Sequence, residues 1–248
     1  MSAVVCITGD VHHPSGTSLK MDEVKAVKGY INSVNVHRAK ATLFVTGKCI
    51  AGNKRFWRDV SAKEYIELGA HTYWAFTFLN KLFDKIVKSP YGPYSYQYLD
   101  CWKTVNAFEK IGVKPISWRT HAYAGDKNTA KILPTFGFKI ISDRIVQGEL
   151  NVTYSDGLMD IPINVLNDDG IVAELKKKPD ERNIYRAGKK VFESIKEAVD
   201  MRRDIVAQLH PISMAILDNF ETFDAILALL YHSNYEFMTL QEMIKNEI

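Results

Sequence analysis

The sequence predicts an α/β protein in which parallel strands are joined by helices. Short apolar runs rich in β-branched residues alternate with stretches whose apolar residues recur at helical spacing. Reactive polar residues repeatedly follow these elements, as they do where strands end at the mouth of a barrel. We therefore expect a single barrel-like α/β domain over residues 1–248.

Seven segments are predicted as strands because each is short, apolar and bounded by polar or turn-forming residues. Because helices separate them, we expect parallel pairing through helical crossovers. The predicted strands are 4–8, 41–46, 116–119, 139–142, 159–164, 204–210 and 235–238.

Helices are predicted where apolar residues recur every three or four positions. The helix expected over 21–36 follows a loop that contains Pro14 and Gly16. The helix expected over 56–68 ends before Gly69, a residue type common just past a helix end. The stretch 71–98 is less regular, and its last part, 91–98, is predicted as a tyrosine-rich loop. Further helices are expected at 99–111, 128–136, 189–203 and 219–231, with a short one closing the chain.

Composition limits the classes of partner. The formal net charge of +3, from 32 basic and 29 acidic residues, does not call for a nucleic-acid partner. Three scattered cysteines without a CxxC pair argue against a disulfide framework or a thiolate zinc site. No signal peptide or membrane span is predicted, so we expect a cytoplasmic protein without a membrane partner. The aromatic segment 91–98 leaves a homo-oligomer open.

Acid, base and metal-ligand side chains recur just after predicted strand or helix ends. A carboxylate held near a water molecule can act as a general base, and a histidine that titrates near neutrality suits proton transfer. A loop-capping aspartate and solvated or core histidines are the competing interpretations. The residues concerned are Asp10, His12, His13, His71, Arg119, His121 and His210.

Several motifs occur in a recognisable order. The segment 41–47 is similar to ATFFVTG, 67–72 to EIGNHT and 137–143 to GFxYxSD. On these motifs the chain resembles the polysaccharide deacetylase family (NodB-homology, carbohydrate esterase family 4) over nearly its whole length. The resemblance implies a distorted (β/α)7 barrel, NodB-like, that removes an acetyl group from a sugar or cleaves another C–N bond by hydrolysis.

The resemblance also implies roles for individual residues. Asp10 would be the base, Arg119 the group that orients it, and His210 the acid, with Asp143 or Asp160 as the partner of His210. Tyr123 stands where the family places a backbone oxyanion donor. His121, in place of a family proline, and Trp74 would line the substrate pocket.

The metal motif departs from the family pattern. His12 occupies the position of the carboxylate ligand, His71 matches the first histidine of HxxxH, and Ala75 replaces the second. The resemblance implies a divalent metal, zinc being the expected ion, on His12 and His71. Because three protein ligands are the usual minimum, a metal-free hydrolase and a non-catalytic ligand-binding homologue stay open. The expected substrate is a small molecule or a soluble sugar-like compound.

Overall fold

In the part of the chain that the structure describes, nine strands form one mixed sheet that curls into an open half-barrel. The computed structural model describes residues 3–13, 22–75, 78–175 and 180–246. The strands are short and mostly buried, as their apolar sequences predict. They are β1 (Val4–Val11), β2 (Ala41–Val45), β3 (Ile66–Ala70), β4 (Ser117–Trp118), β5 (Ile140–Ile141), β6 (Thr153–Ser155), β7 (Leu158–Asp160), β8 (Ile205–Gln208) and β9 (Glu236–Phe237).

Parallel pairing brings the carboxyl ends of the strands to one rim. The strand order is β6-β7-β5-β4-β3-β2-β1-β8, with β9 also pairing to β1. The pair β6–β7 is antiparallel, and the other pairs are parallel. Asp10 lies opposite Phe44, and Phe44 lies opposite Gly69, so residues following these strands share one end of the barrel. The predicted barrel-like α/β architecture is confirmed in this open form.

Asn164 links the two sides of the opening. Its backbone N–H donates to the Val206 carbonyl at 3.1 Å, and its side-chain oxygen accepts from the Val206 N–H at 2.7 Å. The same side chain donates to the carbonyls of Gly148 and Asp204. One buried amide therefore joins the segment after β7 to β8, where β6 and β8 themselves do not pair.

The prediction of a helix over 56–68 was wrong at its carboxyl end. The helix ends at Ser61, and residues 66–70 form β3. Glu67 is tolerated inside the sheet because the hydroxyls of Thr42 and Ser117 donate to its carboxylate. A Cβ on Gly69 would meet the Phe44 ring at 2.7 Å, so this glycine serves close packing and not a helix stop. His71 therefore directly follows a strand, and Asp10 lies near the carboxyl end of one.

Helices cover the outer face of the sheet, and several differ from prediction. The segment 91–98 is partly helical, because helix α5 (Tyr94–Glu109) already begins at Tyr94. Helix α8 (Glu181–Asp200) begins eight residues before the predicted start at 189. The short helices α2 (Gly47–Gly52), α4 (Phe78–Val87), α7 (Asp169–Leu175) and α9 (Pro211–Asp218) were not predicted. The helices are α1 (Glu23–Val36), α2 (Gly47–Gly52), α3 (Lys54–Ser61), α4 (Phe78–Val87), α5 (Tyr94–Glu109), α6 (Lys127–Ile132), α7 (Asp169–Leu175), α8 (Glu181–Asp200), α9 (Pro211–Asp218), α10 (Glu221–His232) and α11 (Leu240–Asn246), with 3-10 turns at His121–Tyr123 and Leu133–Phe136.

The apolar residues form two layers, one on each face of the sheet. The larger layer lies between sheet and helices and includes Tyr30 stacked on Phe223 at 4.2 Å. The smaller layer fills the barrel around Phe44 and Met159, and Leu240 of α11 packs into it. All three cysteines are buried and free. Among the described residues, no helix combines the length and apolarity needed to cross a bilayer.

Candidate metal centre and its acid–base groups

Asp10 is held inside the rim by one arginine. It lies near the end of β1 and is only 4% exposed. Arg119, which follows β4 and is fully buried, donates from Nη1 to Asp10 Oδ1 at 2.9 Å. Burial alone would raise the pKa of Asp10, but the Arg119 guanidinium, with His71 and His210 contributing, holds that pKa well below its usual range. Asp10 is therefore a fixed, ionised carboxylate.

Further hydrogen bonds and an aromatic ring fix the position of the Arg119 guanidinium. Its Nη1 also donates to Thr8 Oγ1, its Nε to the Ser142 carbonyl at 3.0 Å, and its Nη2 to Ser142 Oγ at 2.8 Å. The guanidinium lies over the Phe44 ring, 4.3 Å from its centroid. The predicted pairing of Arg119 with Asp10 is thus present in the structure.

Three histidines place one ring nitrogen each at the corners of a triangle. His71 Nε2 lies 3.2 Å from His12 Nε2 and 3.2 Å from His121 Nδ1, and the last two nitrogens are also 3.2 Å apart. Three such atoms can hold a metal ion. His12 and His71 are the two ligands predicted from sequence. His121 was predicted only to line the pocket, yet it occupies the third corner.

The tautomer of His71 suits metal binding. Its Nδ1 lies 2.8 Å from the Arg119 carbonyl oxygen, which can only accept, so the ring proton is on Nδ1. The Nε2 lone pair then faces the triangle. Burial lowers the pKa of His71 to about 3, which keeps the ring neutral. A carbonyl behind a ligating imidazole is the usual outer partner of a metal-binding histidine.

A strained turn carries His121 into the triangle. The two residues after His121 are Ala122 and Tyr123, and their φ values are 54° and 55°. This is a left-handed backbone conformation that residues other than glycine seldom adopt. The turn is anchored where the Thr120 N–H donates to Asp143 Oδ1 at 2.6 Å. Strain of this kind, about 1–3 kcal/mol per residue, persists at sites where the geometry serves a function.

The triangle fits a tetrahedral metal with nitrogen ligands. Zinc bound at about 2.0–2.1 Å places its ligand nitrogens roughly 3.4 Å apart, close to the observed spacing. Neutral imidazoles are donors that suit zinc, and three protein ligands leave a position for water or substrate. Asp10 Oδ2 lies 4.0 Å from His71 Nε2, so the carboxylate stands beside the triangle without being one of its corners.

His210 is paired with an aspartate that the sequence did not single out. Asp168 Oδ1 lies 2.7 Å from His210 Nδ1, and Asp168 Oδ2 accepts the His210 backbone N–H at 2.7 Å. The predicted partners were wrong: Asp143 binds Thr120, and Asp160 pairs with Arg144. Burial would lower the pKa of His210, but the adjacent Asp168 charge and hydrogen bond raise it to about 10.

Asp168, Asp169 and His210 are a second group whose atoms could hold a metal ion. However, His210 Nδ1 is already bonded to Asp168, as in an acid–base pair. The other nitrogen, His210 Nε2, lies 3.8 Å from Asp10 Oδ2. His210 therefore presents a proton toward the same space that the histidine triangle borders.

A cavity of about 400 Å³ opens onto these groups. Tyr123 lines it, and its hydroxyl bonds Gln208, whose amide donates to Asp10 Oδ2 at 2.9 Å. The Tyr123 backbone N–H, predicted as an oxyanion donor, already donates to the Thr120 carbonyl. The cavity is lined by Asp10, His12, His121, Ala122, Tyr123, Asp169, Val172, Ala173, Gln208 and His210.

Two predicted neighbours of the site lie outside this cavity. Trp74 packs against His13 and borders a separate hollow of about 500 Å³ between α2 and α5. His13 faces Trp74 and is not a corner of the triangle. Trp118, on the neighbouring strand β4, is fully buried and packs on Phe138.

Comparison with solved structures identifies the fold. No family model and no curated protein matches the sequence. A protein of Mycobacterium smegmatis assigned as a polysaccharide deacetylase superposes with a TM-score of 0.74 and 13% identity, covering 100% of this chain and 91% of that one. The peptidoglycan deacetylase PdaC of Bacillus subtilis gives 0.61 and 14%, covering 99% and 92%. The chain has the polysaccharide deacetylase fold. A third similar structure is a CE4 family pseudoenzyme from Bacillus anthracis, with a TM-score of 0.62, 15% identity and coverage of 98% and 66%.

The polysaccharide deacetylase fold confirms the predicted NodB-like barrel. Within it, the structure brings together Asp10, Arg119, His210, His12 and His71, as the sequence predicted. The sequence analysis missed His121 as a candidate ligand and Asp168 as the His210 partner. The signal for His121 was present, because it lies two residues past Arg119 at a strand end. For Asp168 the sequence offered nothing beyond its carboxylate side chain that would mark it as the partner of His210.

Proposed function

We propose that the protein is a hydrolase that cleaves an acetyl or other C–N bond of a sugar-like substrate. The observation that carries this proposal is the triangle of His12, His71 and His121 beside the buried Asp10. A water molecule would be the nucleophile, Asp10 the base, His210 the acid and Arg119 the group that positions Asp10.

The residues of the chain are placed for the two proton transfers. Asp10 is ionised and oriented by Arg119, so it can accept a proton from a water bordering the triangle. A zinc ion on the three histidines would polarise the scissile carbonyl and lower the pKa of a bound water. His210, protonated because Asp168 stabilises its charged form, can donate to the leaving nitrogen or oxygen.

The shape and polarity of the cavity support a small polar substrate. Its wall carries carboxylate, amide, phenol and imidazole groups, which match the hydroxyls of a sugar. Its volume of about 400 Å³ lies near the lower end of ordinary ligand sites. The Streptomyces lividans family 4 carbohydrate esterase with a similar fold was solved with acetate, which supports an acyl-group substrate.

The test is zinc content together with acetate release from a panel of N- and O-acetylated mono- and oligosaccharides. Wild type is expected to bind one zinc ion and release acetate. Asp10→Asn should keep the metal but lose at least 100-fold in turnover, because it removes the base. No turnover of any acylated compound by zinc-loaded wild type would contradict the proposal.

A non-catalytic binding protein is the second candidate, since a pseudoenzyme shares the fold. The loss of the HxxxH histidine at Ala75 favours it, whereas the presence of His121 in the triangle opposes it. Zinc binding without turnover, together with ligand binding unaffected by Asp10→Asn, would support this candidate. Turnover that persists in chelator would instead indicate the metal-free hydrolase.

A further inference from the structure

A buried carboxylate behind the metal centre has no partner in the mechanism above. Glu23, the first residue of α1, is fully buried. Neither of its carboxylate oxygens receives a hydrogen bond from the residues that the structure describes. Burying a carboxylate without compensation is costly, so such a group is normally retained because it pairs with a charge, ligand or metal-bound side chain.

The carboxylate faces one ring of the histidine triangle. Glu23 Oε1 lies 3.8 Å from His12 Nδ1, while the opposite nitrogen of that ring, Nε2, is a corner of the triangle. A neutral imidazole that offers its Nε2 lone pair carries its proton on Nδ1. The proton of His12 would then point toward Glu23, as the proton of His71 points toward the Arg119 carbonyl.

We propose that Glu23 is a positioning residue that fixes the tautomer and orientation of His12 for metal binding. The proposal rests on the proposed metal-dependent function. It also gives the buried charge a role: the triangle itself contains three neutral ligands, and Asp10 is neutralised by Arg119. A carboxylate behind a ligating histidine raises the basicity of that ligand. Glu23 would thus supply negative charge to a site whose ligands have none.

The test compares Glu23→Gln with Asp22→Asn. Asp22 is adjacent, carries the same charge and caps the same helix by accepting the Val24 N–H at 2.9 Å. Asparagine caps a helix as well as aspartate does, so this control removes the same charge without affecting the His12 contact. Zinc affinity is measured by competition with a chromophoric chelator. We expect about 10- to 100-fold weaker binding for Glu23→Gln and less than a threefold change for Asp22→Asn.

A purely structural role is distinguished by thermal unfolding. If Glu23 positions His12, the Tm of metal-free Glu23→Gln should equal or exceed that of metal-free wild type, because a buried charge has been removed. The rise in Tm on adding zinc should be smaller than in wild type. A fall in metal-free Tm with an unchanged zinc-induced rise would overturn the proposal in favour of simple packing.

His71→Ala separates failure of this proposal from failure of the metal centre. If His71→Ala abolishes zinc binding but Glu23→Gln binds as tightly as wild type, only the role of Glu23 is overturned. If zinc binding to wild type is absent, or is unaffected by His71→Ala, the triangle is not a metal site, and the proposed function and the role of Glu23 both fail.

Discussion

Arg119→Met should expose how strongly the site depends on one buried ion pair. The substitution keeps an unbranched apolar stem but removes every donor of the guanidinium. Asp10 would then be a buried carboxylate that keeps the Gln208 donor and the His210 charge 3.8 Å away but has lost its hydrogen-bonded counter-ion. Breaking a buried pair by removing one partner costs about 3–5 kcal/mol, a large share of the 5–15 kcal/mol that stabilises a typical domain.

A double-mutant cycle with Asp10→Asn isolates the part due to the pair. In the Asp10→Asn background, Arg119→Met still loses its bonds to Thr8 and Ser142. At about 1 kcal/mol net for each lost bond, that loss is roughly 2–3 kcal/mol. In the Asp10→Asn background Arg119 is also a buried cation without its counter-ion, so removing its charge lowers the net cost of the substitution. Taking about 4 kcal/mol for Arg119→Met in the wild-type background and about 2.5 kcal/mol in the Asp10→Asn background, the coupling energy between Arg119 and Asp10 should be about 1.5 kcal/mol.

The assay is urea unfolding of the four proteins at pH 7 with chelator present, so that metal binding does not contribute. Wild type and Asp10→Asn should also be compared for the m-value, to establish two-state behaviour. A coupling energy below 0.5 kcal/mol, which is within ordinary additivity, would refute the claim that Arg119 fixes the charge of Asp10.

Three other perturbations test separate parts of the structure. Burial raises the pKa of Asp100 from 3.8 to about 6 despite bonds from Tyr73 and Tyr91, so folding is favoured while this group is protonated. The free energy of unfolding should therefore fall by about 2 kcal/mol as pH rises from 4 to 6. Urea unfolding of Asp100→Asn across that range should lack this loss, and a pH profile parallel to wild type would contradict it. Asp168→Asn should lower the pKa of His210 well below about 10, because the largest contribution that opposes burial is removed and only the charges of Asp10 and Asp169 still raise it. NMR titration of the ring checks this, and an unchanged value would refute the pairing. Gly69→Ala should cost about 1–3 kcal/mol in urea unfolding, since its Cβ would meet Phe44 and Ser117 at 2.7 Å, and a neutral effect would show that β3 can shift.

The architecture was largely predictable because it depends on repeated local patterns. All seven predicted strands occur, since short apolar runs between turns have few other structures open to them. β3 was missed because the apolar residues of 56–68 continue a helical spacing into 66–70. Its strand identity depends on burial of Glu67 between Thr42 and Ser117, a tertiary arrangement that local periodicity does not report.

The site was predictable only where each residue matched a motif. Asp10, His71, Arg119 and His210 lie at or just past the carboxyl ends of strands and meet at the rim because parallel strands end together. His121 reaches the triangle through two left-handed residues, Ala122 and Tyr123, and nothing in those residue types predicts that turn. Asp168 reaches His210 across a sequence separation of 42 residues, from a segment without regular structure.

The most direct test of the account is anomalous diffraction at the zinc edge from crystals grown with zinc. The account predicts a single strong peak within bonding distance of His12 Nε2, His71 Nε2 and His121 Nδ1, and its loss in His121→Ala. A peak at Asp168, Asp169 and His210 instead, or no peak at either group, would contradict the central claim that three histidines form the metal centre.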